Sequence, residues 1–275
     1  MSDAPVSGEA AADARAGGGM AKVGFIGTGE IAEAMAHGLA GRGHHILVSE
    51  RNAARAAALA AALPEVAVAS NQAVLDGAEI VFLCLMKRDA EAALSSLSFR
   101  ADHRIVSVMV GLDLAALRRL CAPATEIALA IPMPFIARGD CPLPVHPESA
   151  ALRELFGDSN LVIPVATEAA LNAHFAASAL SSSVVDHMRS GSEWLAGLTG
   201  DAEGAEAYVT GLIAGYLAAT PKDGKRRLAA ILESLDRPGG LNTTLREHMR
   251  ARGANAALAE GLDSLRPRLG LPPAG

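Results

Sequence analysis

Aromatic side chains make up only 3% of the 275 residues, and there is a single tryptophan. That leaves little from which to build a base-stacking platform. The formal net charge of −6 gives no basic footprint either, so nucleic acid is not an expected partner. Cysteine is equally scarce. Cys84, Cys121 and Cys141 stand far apart, with neither C-x-x-C nor Cys/His ligand spacing. No disulfide framework and no metal site are therefore expected; reduced thiols of a cytoplasmic protein are. No apolar run approaches the ~20 residues that a membrane span needs, so no membrane partner is expected. No Ser/His/Asp order or paired carboxylates stand out, and hydrolase chemistry finds no support. Residues 1–19 are dominated by alanine, glycine and other small or polar residues, without the apolar stretch of a secretory signal. A disordered tail is expected there, with structure starting at Met20.

What is present is apolar material, 51% of the chain, and its arrangement changes along the sequence. From Ala21 to about Val165, short β-rich runs alternate with alanine-rich amphipathic stretches. Lys22–Ile26, Ile46–Val48, Val66–Ala69, Ile80–Leu85, Ile105–Val110, Glu126–Ile131 and Leu161–Val165 read as strands. Glu30–Gly41, Ala53–Leu63 and Leu112–Leu120 read as helices between them. That alternation predicts a mostly parallel, doubly wound α/β sheet covered on both faces. From about Glu168 the strands stop. Glu168–Leu198, Glu203–Ala219, Lys222–Ser234, Thr243–Arg252 and Asn255–Arg266 follow as helical patterns. The predicted organisation is thus residues 20–166 as a dinucleotide-binding domain and 167–275 as an all-α domain. The apolar stripes of the helical part, Trp194 included, exceed what one chain would cover, and burial against a second copy is expected.

The first strand runs into Gly27–Thr28–Gly29–Glu30–Ile31–Ala32, a G-x-G-x-x-A turn that opens a helix. Gly27 permits the tight turn, Gly29 lets backbone approach a diphosphate, and Ala32 keeps helix and strand close. The helix N-terminus then faces the phosphates. A strand before the turn and a helix after it are the context in which this motif signals a nicotinamide dinucleotide rather than a structural turn. After the second strand come Ser49–Glu50–Arg51–Asn52. An acid here holds the ribose of NAD, and Glu50 can serve that purpose. A serine followed by an arginine suits the 2′-phosphate of NADP, so NADP is expected at Ser49, Arg51 and Asn52, with NAD as the alternative.

With these residues placed, the chain resembles the pyrroline-5-carboxylate reductase family, from about Lys22 to Gly253. The likeness runs through Val23–Gly29, through Ile80–Leu85 leading to Met86–Lys87, and through Ser107–Gly111. It continues in Ile131–Pro134, in Ser181–Ser183, and in Pro238–Gly239–Gly240 followed by Asn242–Thr243–Thr244. The resemblance implies a Rossmann domain, a helical domain that interlocks with a partner's, and hydride transfer to the C=N bond of a cyclic imino acid, as in proline biosynthesis. It also implies cofactor contacts at Leu85, Met86 and Lys87, and a substrate carboxylate bound at the Pro238–Thr244 turn. Leu241–Asn242 read as an insertion before Thr243, or Asn242 as standing at a threonine position. A homodimer through the helices, or a larger oligomer, is expected.

The departures bear on the substrate. The family's Met-Pro-Asn-Thr-Pro is Ile131–Pro132–Met133–Pro134–Phe135, without the asparagine, and the arginine usually found just before it is Leu129. Its Gly-Ser-Gly-Pro is Ser182–Ser183–Val184–Val185. A divergent member with an altered imine-like substrate is the expectation, with Asn242, Thr243, Thr244 and Ser183 at the reacting site. Asp186, inside the first long helix, is a candidate proton donor, although an exposed face is the commoner fate of such a residue. His174 reads as a core histidine. A β-hydroxyacid dehydrogenase or imine reductase relative is the alternative enzyme, but the first long helix lacks the lysine that the hydroxyacid enzymes use. A dinucleotide-binding sensor without catalysis is the non-enzyme alternative.

Overall fold

The computed structural model describes residues 20–273; the tail expected over residues 1–19 lies outside the described residues. In chain order the first elements are β1 (Lys22–Ile26), α1 (Glu30–Leu39), β2 (His45–Ser49), α2 (Ala53–Ala62), β3 (Val66–Ala69) and α3 (Asn71–Gly77). Next come β4 (Ile80–Leu83), α4 (Lys87–Ser95), β5 (Arg104–Ser107), α5 (Leu114–Leu120) and β6 (Glu126–Ala130). A 3-10 turn (Ile136–Arg138), β7 (Pro142–His146), α6 (Ala150–Phe156) and β8 (Leu161–Pro164) complete the sheet-bearing part. Six helices follow: α7 (Glu168–Ser178), α8 (Leu180–Thr199), α9 (Ala202–Ala218), α10 (Arg227–Ser234), α11 (Leu241–Ala251) and α12 (Ala254–Asp263).

The chain divides between Asn172 and Ala173 into two compact units. In the first, eight strands form one sheet in the order β3-β2-β1-β4-β5-β6-β7-β8. Every pair is parallel except β6–β7. Strands such as Ile80–Leu83, buried at all four positions, can only be covered on both faces. One face packs Phe25, Met35, Leu39, Ile46 and Phe82 under α1, α2 and α6, and the other packs Val81, Leu83, Leu94 and Leu117 under α3, α4 and α5. Phe82 is stacked on Phe25 at 5.1 Å and meets the edge of Phe156 at 6.1 Å, tying three elements together.

β7 was not predicted from the sequence, and its prolines are the reason. Pro142 and Pro144 lack amide protons, which normally disqualifies a run as an interior strand. Here the Pro144 carbonyl accepts from Ile131 N, so the amide positions of 142 and 144 point toward β6, where the ladder has only two paired positions. The opposite side, toward β8, keeps its ladder: Val145 O accepts from Val165 N.

In the helical unit two boundaries differ from expectation. The helix expected over Glu168–Leu198 is interrupted at Ala179, whose amide bonds Ala176 O in a tighter turn. The hydroxyls of Ser178 and Ser181 donate to Phe175 O and Ser178 O, competing for helical acceptors around the break. The helix expected from Lys222 starts only at Arg227. Gly224 and Arg226 adopt positive φ, and Asp223 caps its own turn by accepting from Lys225 N. No helix among the described residues is long and apolar enough to cross a membrane.

Two buried histidines make the first unit acid-sensitive. His103 Nδ1 accepts from Arg100 N and its Nε2–H donates to Leu75 O, while His44 Nδ1 accepts from Ala21 N. Burial is the main cause that holds both pKa values below the usual histidine range. The neutral forms therefore favour the folded state. Stability should be at its plateau above about pH 6.5, fall as the unfolded histidines take up protons below it, and stop falling at the lowered folded values, at no more than about 1.4 kcal/mol per pH unit per histidine. Thermal melts from about pH 7.5 to about pH 5.5 should show a falling Tm, with a shallower slope in His103→Gln. An unchanged Tm across that range would contradict the assignment.

Candidate functional site

In the first unit the strand order turns back between β1 and β4, and ligands of such sheets bind beyond the carboxyl ends of the strands at that switch point. The segments singled out in the sequence gather there: Gly27–Ile31 after β1, Ser49–Asn52 after β2, and Leu85–Lys87 after β4. Gly27 has φ +96°, and an added Cβ would lie 2.6 Å from the Cys84 carbonyl oxygen, so both backbone angle and packing demand glycine. Gly29 is different. Its φ of −98° is ordinary, and an added Cβ would meet nothing within 4 Å. Glycine at this position is not needed by the protein; it keeps open space above the first turn of α1. Ala32 is fully buried, which lets α1 lie close on the sheet.

Helix capping marks the same place. Four of the first six helices are closed by a side chain: Asn52, Ser70, Asp113 and Ser149 accept from Arg55, Ala73, Ala116 and Leu152 amides. The two that are not, α1 at Gly29 and α4 at Met86, are those that open onto the switch point. Apart from Asp89 N, which bonds Met86 O, their first-turn amides have no acceptor within the helix, and they carry the positive end of the helix dipole. This is a cradle suited to a diphosphate, and a dinucleotide fits the residues present.

Ser49 is placed otherwise than the sequence suggested. It is fully buried; its hydroxyl accepts from Gly27 N at 2.8 Å and its carbonyl accepts from Thr28 Oγ1 at 2.6 Å. It locks the glycine turn rather than facing a ligand. Arg51 is exposed and ion-paired at 3.0 Å with Asp89 of α4, and Asn52 spends its side-chain oxygen on the α2 cap. Glu30, Glu50, Met86 and Lys87 are exposed, Ile31 is half-buried and Leu85 is buried. The Lys87 chain lies beside Gly111, whose φ of +80° turns the loop after β5. Two charged groups escaped the sequence reading. Arg55, one turn into α2, pairs with Glu33 of α1, and Asp89 pairs with Arg51. Neither pairing has a linear signature, because each joins elements that only the sheet order makes neighbours.

The thiols are held in the protonated form. Burial pushes Cys121 up to about 12 and raises Cys84 and Cys141 as well, and all three are free. Among the described residues no group of three or more His, Cys, Asp or Glu is placed to hold a metal ion.

In the helical unit, Asn242, Thr243 and Thr244 do not cap a helix that starts beside them. α11 begins at Leu241 with Gly240 as its N-cap, so the apparent insertion Leu241–Asn242 is helical. Thr243 is buried: its hydroxyl accepts from Arg237 N at 3.1 Å and donates to Asp236 Oδ1 at 3.0 Å. Arg246 closes the same carboxylate at 2.6 Å. This network pins the Pro238–Gly240 turn onto α11, while Asn242 and Thr244 stay exposed beside the uncapped amides. Ser183 is half-buried on α8. Asp186 is exposed and pairs with Arg189 at 2.9 Å on the same helix, which raises the arginine pKa. His174 is exposed rather than in a core.

Comparison with known proteins bears on these features. A family described as "NADP oxidoreductase coenzyme F420-dependent" matches residues 22–111. Pyrroline-5-carboxylate reductase 3 of Bos taurus is 32% identical over 141 residues, covering 45% of this chain; the chain spans 44% of that relative. Among solved structures, the 1-pyrroline-5-carboxylate reductase of Streptococcus pyogenes superposes with a TM-score of 0.76 at 18% identity, over 91% of this chain and 98% of that one. The pyrroline-5-carboxylate reductase of Coxiella burnetii gives 0.78 at 17%, over 92% and 98%. The Plasmodium falciparum pyrroline carboxylate reductase, solved with NADP bound, gives 0.74 at 14%, over 91% and 98%. These likenesses show the fold, a Rossmann unit followed by helices, over nearly the whole chain. The resemblance read from the sequence is thus matched by sequence over 141 residues and by fold over nearly the whole chain.

Proposed function

We propose that the chain is an NAD(P)H-dependent reductase of the pyrroline-5-carboxylate reductase type, acting on the C=N bond of a cyclic imino acid or a related compound. The observation that carries this is the pair of uncapped helices at the switch point, α1 behind an open Gly29 and α4 behind Met86. NADP is the proposed cofactor and NAD the alternative. When bound, the nicotinamide supplies the hydride.

The protein's own part is to bind and orient. Amides of Gly27 to Ile31 take the diphosphate, with Thr28 and Ser49 holding the turn in shape. Arg51 and Asn52 face the adenosine end, and Leu85, Met86 and Lys87 form the wall beside the diphosphate. On α11, the amides of Leu241, Asn242 and Thr243 and the exposed Asn242 and Thr244 side chains take the substrate carboxylate, supported by the Thr243–Asp236–Arg246 network. A protonated imine already carries positive charge, so hydride capture at carbon needs positioning more than a strong acid. Ser183 and Asp186 on α8 are proposed to hold the proton on the ring nitrogen, for which Asp186 must leave Arg189. A homodimer through the helical unit and a cytoplasmic setting, which suits three free thiols, belong to the same reading.

The test is loss of reduced-nicotinamide absorbance with pyrroline-5-carboxylate and a panel of cyclic imines with and without a carboxylate. Saturable turnover of at least one carboxylate-bearing imine is expected. Dinucleotide binding without turnover across the panel would leave a sensor in place of an enzyme.

A further inference from the structure

Arg51 and Asp89 meet across the mouth of the proposed nucleotide crevice. Arg51 is the second residue beyond β2 and Asp89 the third residue of α4, which follows β4. β2 and β4 lie on either side of β1 in the sheet. Strands sit about 4.8 Å apart, so a bond from the β2 side to the β4 side must pass over the end of β1, where the glycine turn begins. The guanidinium and carboxylate are 3.0 Å apart, with side chains 54% and 28% exposed. Both therefore lie where a nucleotide arriving from solvent meets them.

We infer that Asp89 is a competing counter-ion for Arg51 and thereby sets the preference between the two nicotinamide dinucleotides. The inference rests on the proposed dinucleotide site and names the residue that tunes it. A 2′-phosphate brings close to two negative charges and calls for the guanidinium that Asp89 holds. A carboxylate left beside that phosphate repels it. A plain 2′-hydroxyl makes no such demand, and can donate to a carboxylate instead. Asp89 thus opposes the phosphorylated nucleotide and is neutral or favourable toward the unphosphorylated one. The exchange is feasible because Asp89 keeps another cation when Arg51 leaves: Arg88 Nε stands 3.9 Å from the same carboxylate oxygen. An exposed pair of this kind is weak, so the tuning is a matter of a few-fold rather than decades.

Asp89→Asn, Arg51→Gln and the double variant test this by calorimetric titration with NADPH and with NADH, at fixed low salt and without substrate. Asp89→Asn is expected to tighten NADPH by about two- to fivefold and to leave NADH unchanged or slightly weaker. Arg51→Gln is expected to weaken NADPH by about tenfold or more, with NADH little affected. In the double variant the gain from removing the carboxylate's claim on Arg51 should disappear, since the pair acts as a unit. An unchanged NADPH/NADH ratio in Asp89→Asn, or a gain that persists without Arg51, overturns the inference while leaving the reductase reading intact. Failure of the wild-type chain to bind either dinucleotide overturns both.

Discussion

Gly29→Ala should lose nicotinamide-dinucleotide binding by about a hundredfold while melting within a degree or two of the wild type. Gly27→Ala should lose both binding and stability. The two glycines share one turn and one motif, yet the structure assigns them opposite reasons. At Gly27 the φ of +96° and a Cβ only 2.6 Å from the Cys84 carbonyl oxygen strain the folded backbone before any ligand arrives. Left-handed strain and overpacking together come to about 2–5 kcal/mol, a drop in Tm of roughly 10 °C for a chain of this length. At Gly29 the backbone is extended and the neighbourhood empty, so alanine fits the apo protein. Its methyl group would occupy the open space through which, on the proposed reading, a diphosphate oxygen reaches the α1 amides. Differential scanning calorimetry with and without NADPH separates the two effects. Retained NADPH affinity in Gly29→Ala would mean that no diphosphate approaches this turn, and the redox reading would go with it.

The contrast also shows which parts of the molecule a linear sequence exposes. The strands of the Rossmann unit were legible because residues buried on both faces must be apolar throughout; Ile80–Leu83 is the plain case. The glycine turn was legible because its spacing follows from one local mechanical need. β7 was hidden, since Pro142 and Pro144 argue against a strand unless it is known that the β6 ladder ends after two pairs. Ser49 was located correctly on the chain but given the wrong partner, because only the fold reveals that its hydroxyl is committed to Gly27 N. Arg55 with Glu33 and Arg51 with Asp89 were out of reach for the same reason. The sequence placed the start of α11 two residues late, at Thr243, since Leu241 and Asn242 carry no mark of being helical.

Leu212→Glu should convert the proposed homodimer to a monomer at micromolar concentration, without loss of the proposed dinucleotide binding. The helical unit buries little by itself. α8 has 20 residues and α9 has 17, yet each buries one side chain, Ser192 and Ala205. Their apolar residues instead repeat one turn apart on solvent-facing stripes: Trp194 and Leu198; Tyr208, Leu212 and Tyr216. Leu228 and Leu232 of α10 and Leu241 and Leu245 of α11 continue the pattern. A helix with such a stripe is stable in water only when something covers it. A second copy presents the same stripes, so an isologous contact covers both at once. A glutamate in the middle of α9 puts a charge into that contact, and burying it unpaired costs several kcal/mol, enough to raise the dissociation constant by about a hundredfold or more. Sedimentation velocity over a dilution series reads the dissociation directly. Dinucleotide binding should survive because the residues proposed for it belong to the other unit; turnover should fall, because the helix that carries Asn242 and Thr244, the proposed substrate contacts, loses its packing. The wild-type Tm gives an independent check, since a fold completed by association melts at a temperature that rises with protein concentration. A wild-type chain that stays monomeric at every concentration, with a constant Tm, would defeat the proposal, because the stripes would then be stable bare in water.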